Sequence, residues 1–250
     1  MRIAVHQGPS PHGATEAGLA ALGQSLGAAA AAGADVLVMP EIFLPGYNQP
    51  DVAAAARTAG DWTALLAPRV AAAGVALVIG LPEAAEGVVF NAALAFGAEG
   101  RLAATYRKVQ LYGPRERGLY RPGDAYGLVE IAGVRCGLMI CYDVEFAPHV
   151  AALAARGAEV VLVPTANMMP FTHVAAHTVP AMAACHGVAI AYANWCGAEG
   201  DLTYTGGSLI AGPHGEVLAQ AGPGPALLIA DLPPRDPVRL STQAADLRRL

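Results

Sequence analysis

The strongest constraint on this chain is the alternation of short runs rich in Val, Ile and Leu with Ala-rich stretches long enough for helices. An unbroken apolar run reads as a strand buried on both faces, because a strand with one wet face alternates apolar and polar residues. Strands of that kind need cover on each side, so the order of elements points to an α/β layered fold. "RIAVHQ" is the first strand, and a helix over Thr15 to Ala32 follows, with Gly33 as its stop. "DVLVMPE" is a buried strand ending at Glu41, Asp61 to Ala73 is a helix closed by Gly74, and "VALVIGLP" is another buried strand.

From Val88 to Lys108 the pattern turns into a meander, with "VVFNAALAF" and "RLAATYRK" pairing as antiparallel strands across a Gly-Ala-Glu-Gly turn. "YGLVEIAGVRCGLMIC" repeats the device around Ala132-Gly133 and ends at Cys141. "APHVAALAARG" is a helix, "AEVVLVPTAN" a strand, "HVAAHTVPAMAACHG" a helix, "VAIAYANWCG" a strand, "GGSLIAGPHGEVLAQAG" a hairpin and "ALLIADL" the last strand. The mixture suggests two sheets packed on each other with helices outside, while periodicity leaves the strand order open. No repeat or low-complexity linker divides the chain, so residues 1–250 read as one domain with a large core.

Charge narrows the partners. The net charge is −5 and the fifteen basic residues form no run or stripe, which excludes the footprint of a nucleic-acid binder and suits a small neutral or cationic partner. The apolar segment "GLAALGQSLGAAAAAGADVLVMP" is broken by Gln24, Ser25 and glycines, so it is not read as a membrane span. "MRIAVHQG" reads as a strand rather than a signal peptide, and a cytoplasmic location is expected. Cys136, Cys141, Cys185 and Cys196 form neither a C-x-x-C pair nor a disulfide scaffold, as expected for reduced thiols.

Lys108 is the chain's only lysine, beside fourteen arginines. Lysine is a compact, flexible point charge, whereas arginine is a wide planar fork, so a lone lysine marks a place where a guanidinium does not serve. Lys108 follows the predicted strand "LAATYR", Glu41 follows "VLVMP" and Cys141 follows "GLMI". Strand ends are where a rigid sheet meets adaptable loops, and a nucleophilic Cys needs a base or a positive charge nearby. Glu41 suits the base, and Lys108 suits stabilisation of a thiolate and then of an oxyanion. Taken singly, each also fits a plain role: a buried inert thiol, a solvated loop carboxylate, a surface charge.

"MPEIFLPGYN", "YRKVQLYGPRERGLYRPGD" and "GLMICYDVEF" together resemble the motifs of the nitrilase, or carbon–nitrogen hydrolase, superfamily, and the resemblance runs from "RIAVHQG" to the late hairpin. It implies a four-layer αββα sandwich that usually dimerises and a Glu-Lys-Cys site hydrolysing non-peptide C–N bonds without metal or organic cofactor. Carried over to this chain, the resemblance makes Cys141 the nucleophile, Glu41 the general base, and Lys108 with the Tyr142 backbone N–H the oxyanion hole. Glu116, in "GPRERGLYRPG", matches a further family glutamate that orients substrate and lysine. Tyr112 and Tyr47 are expected to line or support the pocket, and Asp143 to brace the turn after the nucleophile. His173, His177 and His186 fall on one predicted helix, but the His173–His177 spacing is common and no H-E-x-x-H carboxylate accompanies it, so no metal is expected.

"CYDVEF", "VPTANM" and "YANWCGAEGDLTYTG" look closest to the branch holding 5-aminopentanamidase and R-stereoselective amidases. Relatives that take ω-amides of keto acids typically carry Arg where this chain has Glu145, and an anion there is expected to favour a cationic amide. The competing reading pairs Glu145 with a nearby Arg. Asn167 and Phe171 are expected either to shape the acyl pocket or to serve loop packing. Many relatives read F-P-E where this chain reads "FAPHV". An ω-amidase acting on an anionic amide is the alternative enzyme, and Glu145 speaks against it. Nitrile hydrolysis is disfavoured by Tyr142 where nitrilases usually carry Trp. A non-catalytic binding protein of the same fold is disfavoured by the intact Glu41, Lys108 and Cys141.

Overall fold

The computed structural model describes residues 1–248. Two six-stranded sheets form its centre. The first runs in the order β14 (Ala226–Asp231), β1 (Arg2–Gln7), β2 (Val36–Val38), β3 (Ala76–Ala85), β4 (Val88–Phe96), β5 (Leu102–Arg107). The second runs β13 (Val217–Gln220), β12 (Leu209–Ala211), β9 (Ala189–Ala193), β8 (Val160–Pro164), β7 (Val134–Leu138), β6 (Gly127–Ile131). Each sheet has three parallel strands, β1-β2-β3 and β7-β8-β9, flanked by antiparallel ones. The Ala132-Gly133 turn between β6 and β7 has φ of 50° and 74°, the left-handed pair that a two-residue hairpin with right-handed strand twist requires.

The double burial read from the sequence has a direct cause. Ile3 and Val5 of β1 and Val36 and Val38 of β2 meet Val160 and Leu162 of β8 between the sheets. The intervening Ala4 and Leu37 face the other way, against Leu22 and Leu26 of helix α1 (Thr15–Ala31) and Leu66 of α2 (Ala59–Ala73). On the second sheet, Val161 and Val163 pack on Val150 and Leu153 of α4 (Ala147–Ala155) and on Val179 of α5 (Val179–His186). The layers are therefore helix, sheet, sheet, helix, as the resemblance implied.

Several boundaries differ from expectation. The helix expected over "HVAAHTVPAMAACHG" is a π turn, Val174–Thr178, followed by α5, because Pro180 has no N–H to continue the ladder and crowds the preceding turn. The strand expected through "VAIAYANWCG" stops at Ala193, and a separate hairpin, β10 (Cys196–Glu199) with β11 (Leu202–Thr205), follows. Gly113–Leu119 forms a short helix, α3, with Pro114 in its first turn where its missing N–H costs nothing. In β3, Gly80 admits a close crossing: a Cβ there would lie 2.5 Å from the Cα of Glu41. That contact lays the chain after β2 directly over the sheet. No helix among the described residues is long and apolar enough to cross a membrane.

Candidate active site

Glu41, Lys108 and Cys141 leave separate strands and converge at one end of the two sheets. Glu41 is held by its backbone, its N–H donating to the Thr165 carbonyl at 3.2 Å and its carbonyl accepting from Trp195 Nε1 at 2.9 Å. Trp195 in turn stacks on Phe43, with ring centroids 5.2 Å apart. Lys108 follows β5 and donates its backbone N–H to the Asn91 carbonyl at 2.8 Å. Cys141 opens a 3-10 turn, Cys141–Glu145, with φ of 47°, a left-handed conformation unusual for a residue with a Cβ. Asp143 braces that turn as expected. Its carboxylate accepts from the Ile140 N–H at 3.0 Å, the Gln110 N–H at 2.7 Å and the Tyr106 hydroxyl at 2.7 Å.

The side chains form a buried charge cluster. Glu41, Lys108 and Glu116 are each 0% exposed. Lys108 Nζ donates to Glu41 Oε1 at 2.7 Å and to Glu116 Oε1 at 2.8 Å. Glu116 is fixed further by the Tyr47 hydroxyl at 2.8 Å on Oε1 and by the Tyr112 backbone N–H at 2.7 Å on Oε2. Burial opposes the charge on Lys108, but the two carboxylates outweigh it and hold its pKa well above the usual lysine value, so it stays an ammonium. Burial pushes the Glu41 carboxyl up to about 7, with Lys108 pulling down and Glu116 pushing further up. Burial, reinforced by Glu41, raises the Cys141 thiol well above its ordinary value, against the opposing pull of Lys108 and the Ala166 N–H. In the resting site the sulfur therefore keeps its proton, and it needs a base at the moment of attack.

A cavity of about 240 Å³ opens above Cys141, lined by Tyr47, Tyr112, Tyr142, Glu145, Asn167 and Phe171, with His173 at its rim. Tyr142 stands edge-on to Tyr112, and Phe171 edge-on to the same ring, at 5.3 and 6.1 Å between centroids. Glu145 is half-buried, and no Arg among the described residues pairs with it as the competing reading expected. Its carboxyl is raised mainly by burial, with His173 and Lys108 drawing it back. Asn167 donates through Nδ2 to the Phe171 carbonyl at 2.9 Å, so it lines the cavity and holds the loop that carries Phe171. The "FAPHV" segment lies outside the cavity lining, where His149 joins α4 to Gln110 and Tyr126 at 2.9 and 2.7 Å. His173, His177 and His186 are not brought together, since the π turn separates the first two from α5 and only His173 reaches the cavity.

Two residues escaped the sequence reading. Trp195 holds the Glu41 backbone, and Asn91 of β4 donates Nδ2 to Glu41 Oε1 at 2.6 Å. The available signal for Asn91 was a single polar residue inside the apolar run "VVFNAALAF", where an amide is costly unless partnered.

Such a sandwich, with a cysteine, a lysine and one glutamate at strand ends and a second glutamate on α3 beside them, defines a class of hydrolase, and the chain belongs to the carbon-nitrogen hydrolase family, whose model matches residues 2–237. It is similar to a hydrolase from the pqqF 5' region of Pseudomonas protegens, 40% identical over 93% of this chain and 82% of the relative. An (R)-stereoselective amidase of a Pseudomonas species is 38% identical over 75% of this chain and 69% of its own. The solved NitN amidase from Nesterenkonia sp. AN1 superposes with a TM-score of 0.90 at 36% identity, covering 99% of this chain and 96% of that one. Other structures of that amidase carry the result of Michael addition of acrylamide at the active-site cysteine, or hold butyramide. The fold and family are therefore those of nitrilase-superfamily amidases with a catalytic cysteine.

Proposed function

We propose that this chain hydrolyses a small aliphatic amide bearing an amine, of the 5-aminopentanamide kind, to the carboxylate and ammonia through a cysteine acyl-enzyme. The observation that carries the reading is Glu145, a carboxylate in the cavity wall without an ion-pair partner among the described residues. An anion half-removed from water and facing a cavity favours a cationic group there and opposes an anionic one. The aromatic rings of Tyr112, Tyr142 and Phe171 add faces and edges suited to an alkyl chain ending in an ammonium. The cavity size and the similarity to an amidase solved with butyramide support a short acyl chain.

In this reading the Cys141 sulfur adds to the amide carbon as its proton passes to Glu41. The carbonyl oxygen becomes an oxyanion facing Lys108 and the backbone N–H of Tyr142, which lies in the first turn of the Cys141–Glu145 element, where helices leave such groups unpaired. Glu41 returns the proton to the nitrogen, the C–N bond breaks and ammonia leaves. Glu41 then takes a proton from water, whose hydroxide adds to the thioester. Collapse of that intermediate breaks the C–S bond, restores the thiol and releases the acid. Glu116 holds Lys108 through a second hydrogen bond throughout.

The reading is tested by ammonia release from 5-aminopentanamide, butyramide and an amide of similar length ending in a carboxylate. The cationic amide is expected to have the highest kcat/KM, and Glu145→Arg to reverse the order of the two charged substrates. An unchanged order in the variant removes Glu145 from substrate selection.

A further inference from the structure

Glu41 presents two chemically unequal oxygens. Oε1 accepts from both Lys108 Nζ and Asn91 Nδ2, at 2.7 and 2.6 Å, whereas Oε2 is buried and makes no hydrogen bond. A carboxylate whose donors all sit on one oxygen cannot rotate freely, and its basic lone pairs lie on the other. Asn91 is 0% exposed and lies on β4 opposite Pro82 of β3. Its own Oδ1 has no partner, although an unpartnered buried amide oxygen is costly. The orientation is nonetheless forced, because a carboxylate only accepts, so the amide must turn its NH₂ toward Glu41. The same residue's carbonyl accepts the Lys108 backbone N–H, so one residue sets the side chain of the base and the main chain of the lysine.

We infer that Asn91 is a positioning residue for the reaction: by capping Oε1 of Glu41 beside Lys108, it reserves Oε2 for the proton of Cys141 and keeps the carboxylate in its ionised form. The inference rests on the proposed role of Glu41 as base. Asn91 lies outside the cavity lining, so its effect belongs on kcat and on the pH profile rather than on KM. The groups facing Glu41 are Lys108, Glu116, Cys141 and the buried phenols of Tyr47, Tyr120, Tyr192 and Tyr204. The phenols all stay protonated, each raised first by burial, and Lys108 stays charged, while burial raises the Glu41 carboxyl to about 7, so its ionisation is assigned to the acid limb.

The test compares Asn91→Leu, Glu41→Gln and the double variant, following kcat, KM and the rate of Cys141 alkylation by iodoacetamide against pH. Loss of one hydrogen bond to a charged group corresponds to roughly tenfold to a hundredfold. Asn91→Leu is therefore expected to lower kcat by about that factor with KM within about twofold, and to move the acid limb of kcat and of alkylation up by about one pH unit. In the Glu41→Gln background, replacing Asn91 should change the alkylation rate by less than about twofold, because the two residues act as a unit. An equal loss in both backgrounds, or an unmoved acid limb, overturns the inference by making Asn91 a packing residue. If Asn91→Leu folds poorly by its thermal melt, Asn91→Ser carries the same test, with the same shift expected and the same unmoved limb refuting it. Full activity in Glu41→Gln instead refutes the role of the base, an outcome separate from the behaviour of Asn91.

Discussion

Replacing Lys108 by Arg keeps the charge and removes the geometry. The ammonium sits 2.7 Å from Glu41 and 2.8 Å from Glu116, with all three side chains shut off from water. A guanidinium is wider and planar, and it spreads its donors over a fork instead of gathering them at one atom. Fitting it into a close-packed interior costs about 1–3 kcal/mol, which for a chain of this length lowers Tm by about 2–4 °C per kcal/mol. The larger effect is chemical. The bulkier head displaces Glu41 and moves the donor from where the oxyanion forms, and losing one such donor costs roughly 10²–10³ in kcat. Lys108→Met would instead leave two buried carboxylates without their cation, a loss of about 3–5 kcal/mol, so Arg should be the more stable variant and yet nearly inactive. Ammonia release in steady state, with a thermal melt of each variant, separates the two effects. A Lys108→Arg enzyme retaining more than about half its kcat would refute the claim that a single compact cation is required.

Other expectations follow from the same geometry. Cys141→Ala should abolish ammonia release and leave the fold intact, whereas Cys141→Gly should be equally inactive but more stable than Cys141→Ala by about 1 kcal/mol, because φ of 47° penalises a Cβ; equal melting temperatures would contradict the strain argument. Burial lowers the pKa of His6 to about 4, and its Nδ1 lies 2.8 Å from Ser25 Oγ. The unfolded chain takes up that proton below about pH 6.5 and the folded one only near 4, so stability is full above that window and falls as pH drops through it, by about 3 kcal/mol at most, since the ring keeps some contact with water. His6→Asn should flatten that part of a urea-unfolding series across pH, and an unaltered slope would assign the acid sensitivity elsewhere. Gly80→Ala places a Cβ 2.5 Å from the Glu41 Cα, so activity should fall more than stability, and a fully active variant would show that the crossing can relax.

The sequence by itself determined the layering and the candidates for the reacting groups. Apolar runs without alternation require strands covered on both faces, and Ile3, Ala4 and Val5 then divide between two cores through the period of a strand alone. A lone lysine among fourteen arginines, with Glu41 and Cys141 at comparable strand ends, marked candidates for the chemistry before any contact was known, and the motifs around them gave those candidates their weight. Local pattern has no access to contacts between distant segments. The pairing of β14 with β1 joins the first strand to the last, and the segment leading into α5 is a π turn that periodicity does not distinguish from a helix. Protonation belongs to the assembled site as well, because the shift of the Glu41 carboxyl to about 7 is the balance of burial and one neighbouring anion against one cation, the charges being brought from other elements. Asn91 marks the boundary between the two. In the sequence it is a polar interruption of a strand, and only the packing of β4 beside the Glu41 crossing turns it into a donor to one oxygen of that carboxylate.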